Sequence, residues 1–383
     1  MIDVLSLTLG GLTAAGLVQS GAGWLALRQF ARHAPASPAA RPPALRPPVT
    51  ILKPLHGDEP LLEEALASFC AQDYPAFQIV FGLQSAADPA LHVLRRLRAR
   101  FPRLDMDIVV DPTAHGSNRK IANLINMLPR ARHGVLVIAD SDIHAAPSYL
   151  DSLVGSLAQP GVGLVTTLYA GRTASDTLTG RLGAAHINHA FLPGALLARA
   201  LGRQDCLGAT MALTRETLER VGGLQALSNH LADDAVLGQL VRAEGLSVAL
   251  ASTVPATTVP ETHMPALFQH ELRWARTVQS LVPVAFALSV VQFPLFWATL
   301  TLGVSGGAAW AWLAFAAAWL VRGAAAHGID RALKVALPLT IWCLPFRDLL
   351  SVTVILASYR SDRVAWRGQV HRVTRPSLVP GKG

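Results

Sequence analysis

The chain has 383 residues, 51% of them hydrophobic and only 15% charged, with 33 Lys and Arg against 25 Asp and Glu for a formal net charge of +8. Such apolar content excludes a disordered chain, and three cysteines exclude a disulfide scaffold. What fits is a membrane-associated protein with one soluble domain of ordinary size, its positive balance facing either nucleic acid or an anionic membrane surface.

Residues 4–27 carry no charged side chain, a length sufficient to cross roughly 30 Å of hydrocarbon as a helix. Asp3 precedes this run and Arg28, Arg32, Arg41 and Arg46 follow it. A signal peptide carries its positive charge before the apolar run, so residues 1–27 read as an uncleaved anchor. The positive-inside rule then places the N-terminus outside and the next domain in the cytoplasm. Residues 28–47, rich in Pro, form an extended linker.

Residues 48–277 alternate strand and helix. Strands are expected over 48–52, 78–83, 106–110 and 135–139, with helices over 58–70, 89–100 and 120–128. The run 135–139 is short and wholly apolar, as suits a central strand buried on both faces. The series predicts an α/β domain with a mostly parallel sheet, whose ligands bind beyond the carboxyl ends of the strands.

Polar residues gather at those ends. Asp140-Ser141-Asp142 follows the buried strand, and residues i and i+2 there point the same way. Two such carboxylates suit a hard divalent cation bridged to phosphate oxygens. Asp233-Asp234 precedes an apolar helix. It is either a helix cap or the source of a general base, which must be a carboxylate close to a substrate hydroxyl. In His270-Glu271-Leu272-Arg273-Trp274, Arg273 offers a cationic fork to a diphosphate and Trp274 either closes a site or sits at a membrane interface. His115-Gly116-Ser117-Asn118-Arg119-Lys120 is a turn into a helix suited to phosphate or base contact, or a solvated basic turn. Gly208-Ala209-Thr210 admits close approach of a sugar or acceptor, or is a tight strand start.

No charge occurs between Arg276 and Arg322, which is room for two crossings with a turn at Gly303, Gly306 and Gly307. The apolar stretch 332–357 is interrupted by Pro338, Pro345, Arg347 and Asp348. A simple third crossing there would export a basic tail, 358–383, against the charge rule. A re-entrant or two-part segment is therefore expected within the membrane region 278–357, with the tail 358–383 in the cytoplasm. Residues 191–199 are either an interfacial helix or a core helix. Cys70 and Cys343 read as small buried hydrophobes.

In this order, the pieces resemble the inverting nucleotide-sugar glycosyltransferases of GT-A fold, with their D, D, D, (Q/R)xxRW pattern. More narrowly the chain resembles glycosyltransferase family 21, which holds ceramide glucosyltransferases and bacterial hopanoid-biosynthesis glycosyltransferases. The stretches that carry this are Lys53-Pro54-Leu55-His56-Gly57, Asp73-Tyr74-Pro75, Ala87-Asp88-Pro89, Gly116 to Lys120, Ala139 to Ile143, Gly208 to Thr210, Ala232 to Asp234 and Glu271 to Trp274. The stretches 123–129, 136–142 and 270–277 look nearer to the hopanoid branch. That resemblance implies a GT-A catalytic domain over 48–277 that moves N-acetylglucosamine from its UDP-sugar to bacteriohopanetetrol at the cytoplasmic face of a bacterial inner membrane. Ceramide, a sphingolipid, is the alternative acceptor.

Carried over by residue, the resemblance implies that Asp140 contacts the nucleotide and Asp142 the metal, Mg²⁺ or Mn²⁺, with Asp140 beside it. Asp234 is the general base, and Arg273 and Trp274 face diphosphate and acceptor. Lys53, Pro54, Ser85, Asp88, Asn118, Lys120 and Asp233 complete the nucleotide site. Two departures stand out. The family's first Asp follows Gln at the second strand end, whereas here Gln84 is followed by Ser85 and the nearest acid is Asp88. Either nucleotide affinity is lowered or Asp88 substitutes. His270 also stands where Gln or Arg is expected. A processive polysaccharide synthase needs more membrane helices than this chain offers. A non-catalytic lipid- or sugar-nucleotide-binding protein has only Ser85 in its favour. The basic surplus flanks membrane segments rather than one soluble face, so nucleic acid is not an expected partner.

Overall fold

A computed structural model describes residues 4–32, 46–361, 363–366 and 369–372. Residues 33–45 of the expected linker, and 362, 367–368 and 373–383 of the basic tail, lie outside the described residues. In chain order the α-helices are α1 (Val4–Arg32), α2 (Leu62–Cys70), α3 (Ala90–Arg100), α4 (Arg119–Met127), α5 (Tyr149–Leu157), α6 (Leu178–His186), α7 (Leu192–Ala200), α8 (Arg215–Arg220), α9 (Asp233–Ala243), α10 (Met264–Leu281), α11 (Pro283–Leu288), α12 (Pro294–Val304), α13 (Ala309–Leu333) and α14 (Leu344–Ser358). The strands are β1 (Val49–Pro54), β2 (Phe77–Leu83), β3 (Asp105–Val110), β4 (Val135–Ala139), β5 (Ile143–His144), β6 (Val162–Thr166), β7 (Ala170–Thr173), β8 (Thr210–Thr214), β9 (Ser247–Leu250), β10 (Ala256–Val259), β11 (Arg363–Trp366) and β12 (Gln369–Arg372). The chain divides into two compact units, one drawn from 33–170 and 202–258, the other from 1–32, 171–201 and 259–383.

The first unit is the expected α/β domain. Its seven-stranded sheet runs β3-β2-β1-β4-β8-β6-β9. The pairs β3/β2, β2/β1, β1/β4 and β6/β9 are parallel, and β8 is antiparallel to both β4 and β6. All four strands expected from the sequence are present. Successive residues of β1, β2 and β4 point to opposite faces, and both faces are apolar and covered. Ile51, Ile79, Phe81 and Val137 pack with Leu66, Phe69, Leu94 and Leu153 from α2, α3 and α5. Leu52, Val80, Leu136 and Ile138 pack with Ile121, Leu124, Leu218 and Leu237 from α4, α8 and α9. Burial on both faces is why these strands read as unbroken apolar runs. The parallel strands β1 to β4 end at one edge, and β8, paired Ala139↔Thr210, brings the Gly208-Ala209 turn to that same edge.

Among the described residues, the second unit carries three helical segments long and apolar enough to cross a membrane: Val4–Arg32, Ala309–Leu333 and Ile341–Ser358. The count reaches four if the pair Pro283–Gln292 and Pro294–Val304, bent by 66°, is taken as one span. The bend falls at Phe293-Pro294, where a proline cannot donate to the preceding turn. The expected turn lies at Gly306 and Gly307, both left-handed with φ of 64° and 74°, whereas Gly303 belongs to α12. The stretch 332–357, expected to be re-entrant or in two parts, divides between the end of α13 and α14. Its first residues end α13, 335–340 connect, and 344–358 are one continuous helix. Pro345 sits in the first turn of α14, where no hydrogen-bond partner is lost. The two charges that interrupt the apolar run are buried and paired inside the unit. Arg347 reaches both carboxylate oxygens of Glu271 at 2.7 Å. Asp348 lies 3.7 Å from Arg322 and accepts from Leu295 N–H at 3.1 Å.

Helix α7 follows a π-helical turn, Ile187–Phe191. It buries Leu192, Pro193 and Leu196, and Gly23 of α1 packs against Pro193, the core-helix alternative for 191–199. Cys70 is buried and Cys343 half-buried, and both are free thiols.

Candidate active site

The carboxyl edge of the sheet assembles acids around two lysines. Asp140 follows the last residue of β4, and its N–H donates to Ala209 O at 3.2 Å, fixing the Asp140-Ser141-Asp142 turn against the start of β8. The three side chains then part. Ser141 Oγ donates to Glu59 at 2.6 Å. Asp140 Oδ1 meets Lys120 Nζ at 2.6 Å. Asp142 Oδ2 accepts from Thr257 Oγ1 at 2.6 Å. Burial, with Asp140 second, pushes the Asp142 carboxyl up to about 6.

The Asp233-Asp234 pair occupies the first turn of α9. Asp233 is buried. Asn118 Nδ2 donates to its Oδ1 at 3.3 Å, while its Oδ2 makes no hydrogen bond and lies 3.9 Å from Lys120 Nζ. Asp234 is more open and accepts from Ala235 N–H at 2.8 Å. Burial, then Asp233, pushes Asp234 up to about 6. An α-helix N-terminus favours negative charge, but here desolvation and like charge prevail. Lys120 feels the reverse: burial works against its charge, and Asp140, Asp233 and Asp234 outweigh it and hold its pKa above the ordinary value.

Asn118 caps α4 by accepting from Ile121 N–H at 3.1 Å and donates to His230 O at 2.7 Å. It thereby ties the basic turn to the loop ahead of α9 and aims Lys120 at the acids. Gly116, at φ 132°, passes close to Ser228 and Asn229, which only a residue without Cβ permits. The expected turn, acid pairs and small-residue segment are thus one constellation within one unit.

Lys53 and Pro54, expected to touch the nucleotide, are instead fully buried within β1. Lys53 Nζ donates to Asp140 O at 2.5 Å and lies 3.8 Å from the Phe69 ring centroid, with its pKa lowered to about 7 by burial. Its place is beneath the Asp140 turn. Asp88 is also occupied. Its carboxylate accepts from Gly57 N–H at 3.0 Å and from Ala90 N–H at 2.9 Å, so it caps α3 and pins the loop after β1. Ser85 is exposed just beyond β2, its Oγ accepting from Ala87 N–H at 3.1 Å.

Arg273 and Trp274 belong to the second unit, both half-buried on α10. His270, the departure from the expected motif, bonds Glu261 through Nδ1 and meets the Trp274 ring edge-to-face at 4.6 Å between centroids. It braces Trp274 one helical turn away.

Three contributors had no signature in the sequence. Thr257 lies 115 positions from the Asp142 it bonds. Glu59 holds Ser141 away from the acids. Tyr169, its phenol kept protonated by burial and by Asp234, Asp140 and Asp142, adds a hydroxyl donor near them.

Among the described residues no group of three or more His, Cys, Asp and Glu side chains is placed to hold a metal ion. The donor set nevertheless fits Mg²⁺ or Mn²⁺, which take one or two carboxylates and complete their shell from water and phosphate. Asp140 and Asp142 supply hard oxygen.

Gly208 sets the position of Asp234. A Cβ there would stand 2.9 Å from Asp234 Oδ2 and 3.2 Å from its Cγ, so the carboxylate must turn aside. Gly208→Ala is expected to keep the fold, since only a side-chain end must yield, and to lower turnover by roughly tenfold or more through misplacement of Asp234. Turnover and melting temperature measured together check this; loss of melting temperature without loss of rate contradicts it.

Residues 11–379 match the profile of Glycosyl transferase family 21. Over 246 residues, 64% of this chain and 52% of the relative, the chain is 22% identical to ceramide glucosyltransferase 1 of Caenorhabditis elegans. It is 31% identical over 137 residues to the ceramide glucosyltransferase of Komagataella phaffii, covering 35% of this chain and 26% of that one. The chain spans about half the length of the Caenorhabditis elegans relatives it matches. Among solved structures it is similar to the mannosyltransferase PcManGT from Pyrobaculum calidifontis in complex with GDP-Man and Mn²⁺, with TM-score 0.48, 20% identity, and coverage of 92% of this chain and 99% of that one. Glucosyl-3-phosphoglycerate synthase from Mycobacterium tuberculosis gives TM-score 0.42 and 18% identity over 65% of this chain and 84% of that one.

Proposed function

The chain belongs to glycosyl transferase family 21, and on that premise we propose that it is a membrane-bound, inverting glycosyltransferase that moves a hexose from a UDP-sugar to a lipid hydroxyl. The observation that carries this is the cluster of Asp140, Asp142, Asp233 and Asp234 at the carboxyl edge of the sheet, with Lys53 and Lys120 as the cations bonded or paired within it. Surplus negative charge there calls for a bound cation.

In the reaction the acceptor oxygen attacks the anomeric carbon from the face opposite UDP. Asp234 takes the hydroxyl proton as the new C–O bond forms, and the bond to the UDP oxygen breaks. Attack from the opposite face turns an α-linked donor into a β-linked product. Asp140 and Asp142 would hold Mg²⁺ or Mn²⁺, which when bound neutralises charge developing on the leaving diphosphate. Lys120 holds Asp140 and Asp233 in place. Arg273 carries a guanidinium fork suited to a diphosphate, and Trp274 an aromatic face suited to an acceptor. Three segments able to cross a membrane suit an acceptor that never leaves the bilayer, with the catalytic unit at the cytoplasmic face of a bacterial inner membrane.

N-acetylglucosamine as sugar and bacteriohopanetetrol as acceptor is the pairing suggested by 123–129, 136–142 and 270–277. Glucose and ceramide form the second reading, favoured by the similarity to ceramide glucosyltransferases. Membranes carrying the protein, supplied with radiolabelled UDP-N-acetylglucosamine or UDP-glucose and either lipid, with and without EDTA, decide. Metal-dependent label in the hopanoid supports the first pairing and label in ceramide the second. No label in either lipid from folded protein refutes the proposal.

A further inference from the structure

Helix α10 is fastened by a buried ion pair that the transfer chemistry does not use. Arg347 of α14 and Glu271 of α10 are 2% and 4% exposed, and the guanidinium bonds both carboxylate oxygens at 2.7 Å. The same guanidinium donates to Leu182 O of α6 at 3.2 Å and to Ser351 Oγ at 2.9 Å. One side chain thus joins three helices. A buried pair of this kind is weak evidence for stability, because desolvation offsets most of its attraction, whereas its fork geometry fixes how two elements meet.

Glu271 lies two residues before Arg273. Two residues turn an α-helix by roughly 200°, so seating Glu271 among Leu267, Leu272 and Ala275 on the buried face turns Arg273 to the other side of α10. A shift of one residue in that seating would swing Arg273 by roughly 100°.

We propose that Arg347 and Glu271 are a positioning pair: their bidentate contact sets the rotation and height of α10 and so orients Arg273 and Trp274 for the reaction. This rests on the reading of Arg273 and Trp274 given under the proposed function.

The test compares the full-length parent with Glu271→Met/Arg347→Met and with Arg347→Lys in membranes. Three quantities are read: kcat and KM for the UDP-sugar, thermal unfolding, and the maleimide labelling rate of a cysteine placed at Arg273 in each background. Removing both charges together leaves no unpaired buried ion, so the double variant is expected to unfold near the parent temperature. Its kcat is expected to fall roughly tenfold to a hundredfold, as for a misplaced catalytic group, and labelling at 273 to change severalfold. Arg347→Lys keeps the charge but loses the fork, and is expected to show a smaller kcat loss in a folded protein. Parental kcat and labelling in either folded variant overturns the inference. If the parent transfers no sugar, the proposed function fails by itself, and labelling at 273 still decides whether the pair sets α10.

Discussion

Asp234→Asn is expected to lower sugar transfer about a thousandfold, within the span that removal of a general base usually produces. The amide oxygen can still accept from Ala235 N–H, as Asp234 does at 2.8 Å, and the substitution preserves shape beside Gly208. What is lost is the capacity to take the acceptor proton. UDP binding, followed by thermal shift, is expected to stay within a few-fold of the parent. An Asn variant that keeps a tenth of the parental rate would assign the base elsewhere, with Asp233 the first candidate. The pH dependence follows from the same group. The raised pKa of about 6 means that activity falls as pH drops through 6, because Asp234 must be ionised to act. Stability runs the other way. Asp142 and Asp234 bind protons more tightly folded than unfolded, so their contribution to stability is fully present below the ordinary value of 3.8 and is lost as pH rises through about 6. Ligand-free protein is therefore expected to melt at a lower temperature at pH 7 than at pH 5 as far as these two groups control it. The kcat/KM profile of Asp234→Asn is expected to lose the Asp234 part of its acid limb and to keep the part that Asp142 sets.

Asp142→Asn has the second large effect. Asp142 sits at the turn after β4 with Thr257 Oγ1 on one oxygen. The amide can keep that bond while giving up the charge a divalent cation requires. Turnover is expected to fall on the order of a hundredfold, and stabilisation of the protein by Mn²⁺ with UDP, which follows from binding to the folded state alone, is expected to shrink. Thermal unfolding with and without Mn²⁺ and UDP reads this without any assay of transfer. Unchanged stabilisation in the Asn variant would remove Asp142 from the cation site.

The sequence makes one half of the sheet plain. The runs that become β1, β2 and β4 are buried on both faces, so hydrophobicity alone marks them, and acids placed directly after such a run must lie at a strand end. The same local logic misleads for Lys53 and Asp88. A lysine after an apolar strand looks available, but Nζ finds the Asp140 carbonyl, from a turn 87 positions away. An acid near a strand end looks like a ligand, but the N–H groups of Gly57 and Ala90 take it. Thr257 lacks any local pattern because the chain reaches it only after leaving the first unit and returning. The charges in α14 were visible as interruptions of an apolar stretch. That Glu271 and Arg322 would pair with them required tertiary contacts.

The strand order also bears on how the protein is made. In β3-β2-β1-β4-β8-β6-β9, β8 lies between two strands that precede it in the chain, and it is synthesised only after residues 171–201 have left for the other unit. A nascent chain that has just completed β6 (Val162–Thr166) has both neighbours of β8 and nothing to join them, leaving two open strand edges of the kind that invite wrong pairing. Assembly of the sheet centre thus waits on the ribosome passing β8, Thr210–Thr214. The turn carrying Gly208 is delivered in the same stroke, whereas Asp233 and Asp234 follow on α9, so the acid cluster cannot be complete until the chain has passed the centre of the sheet.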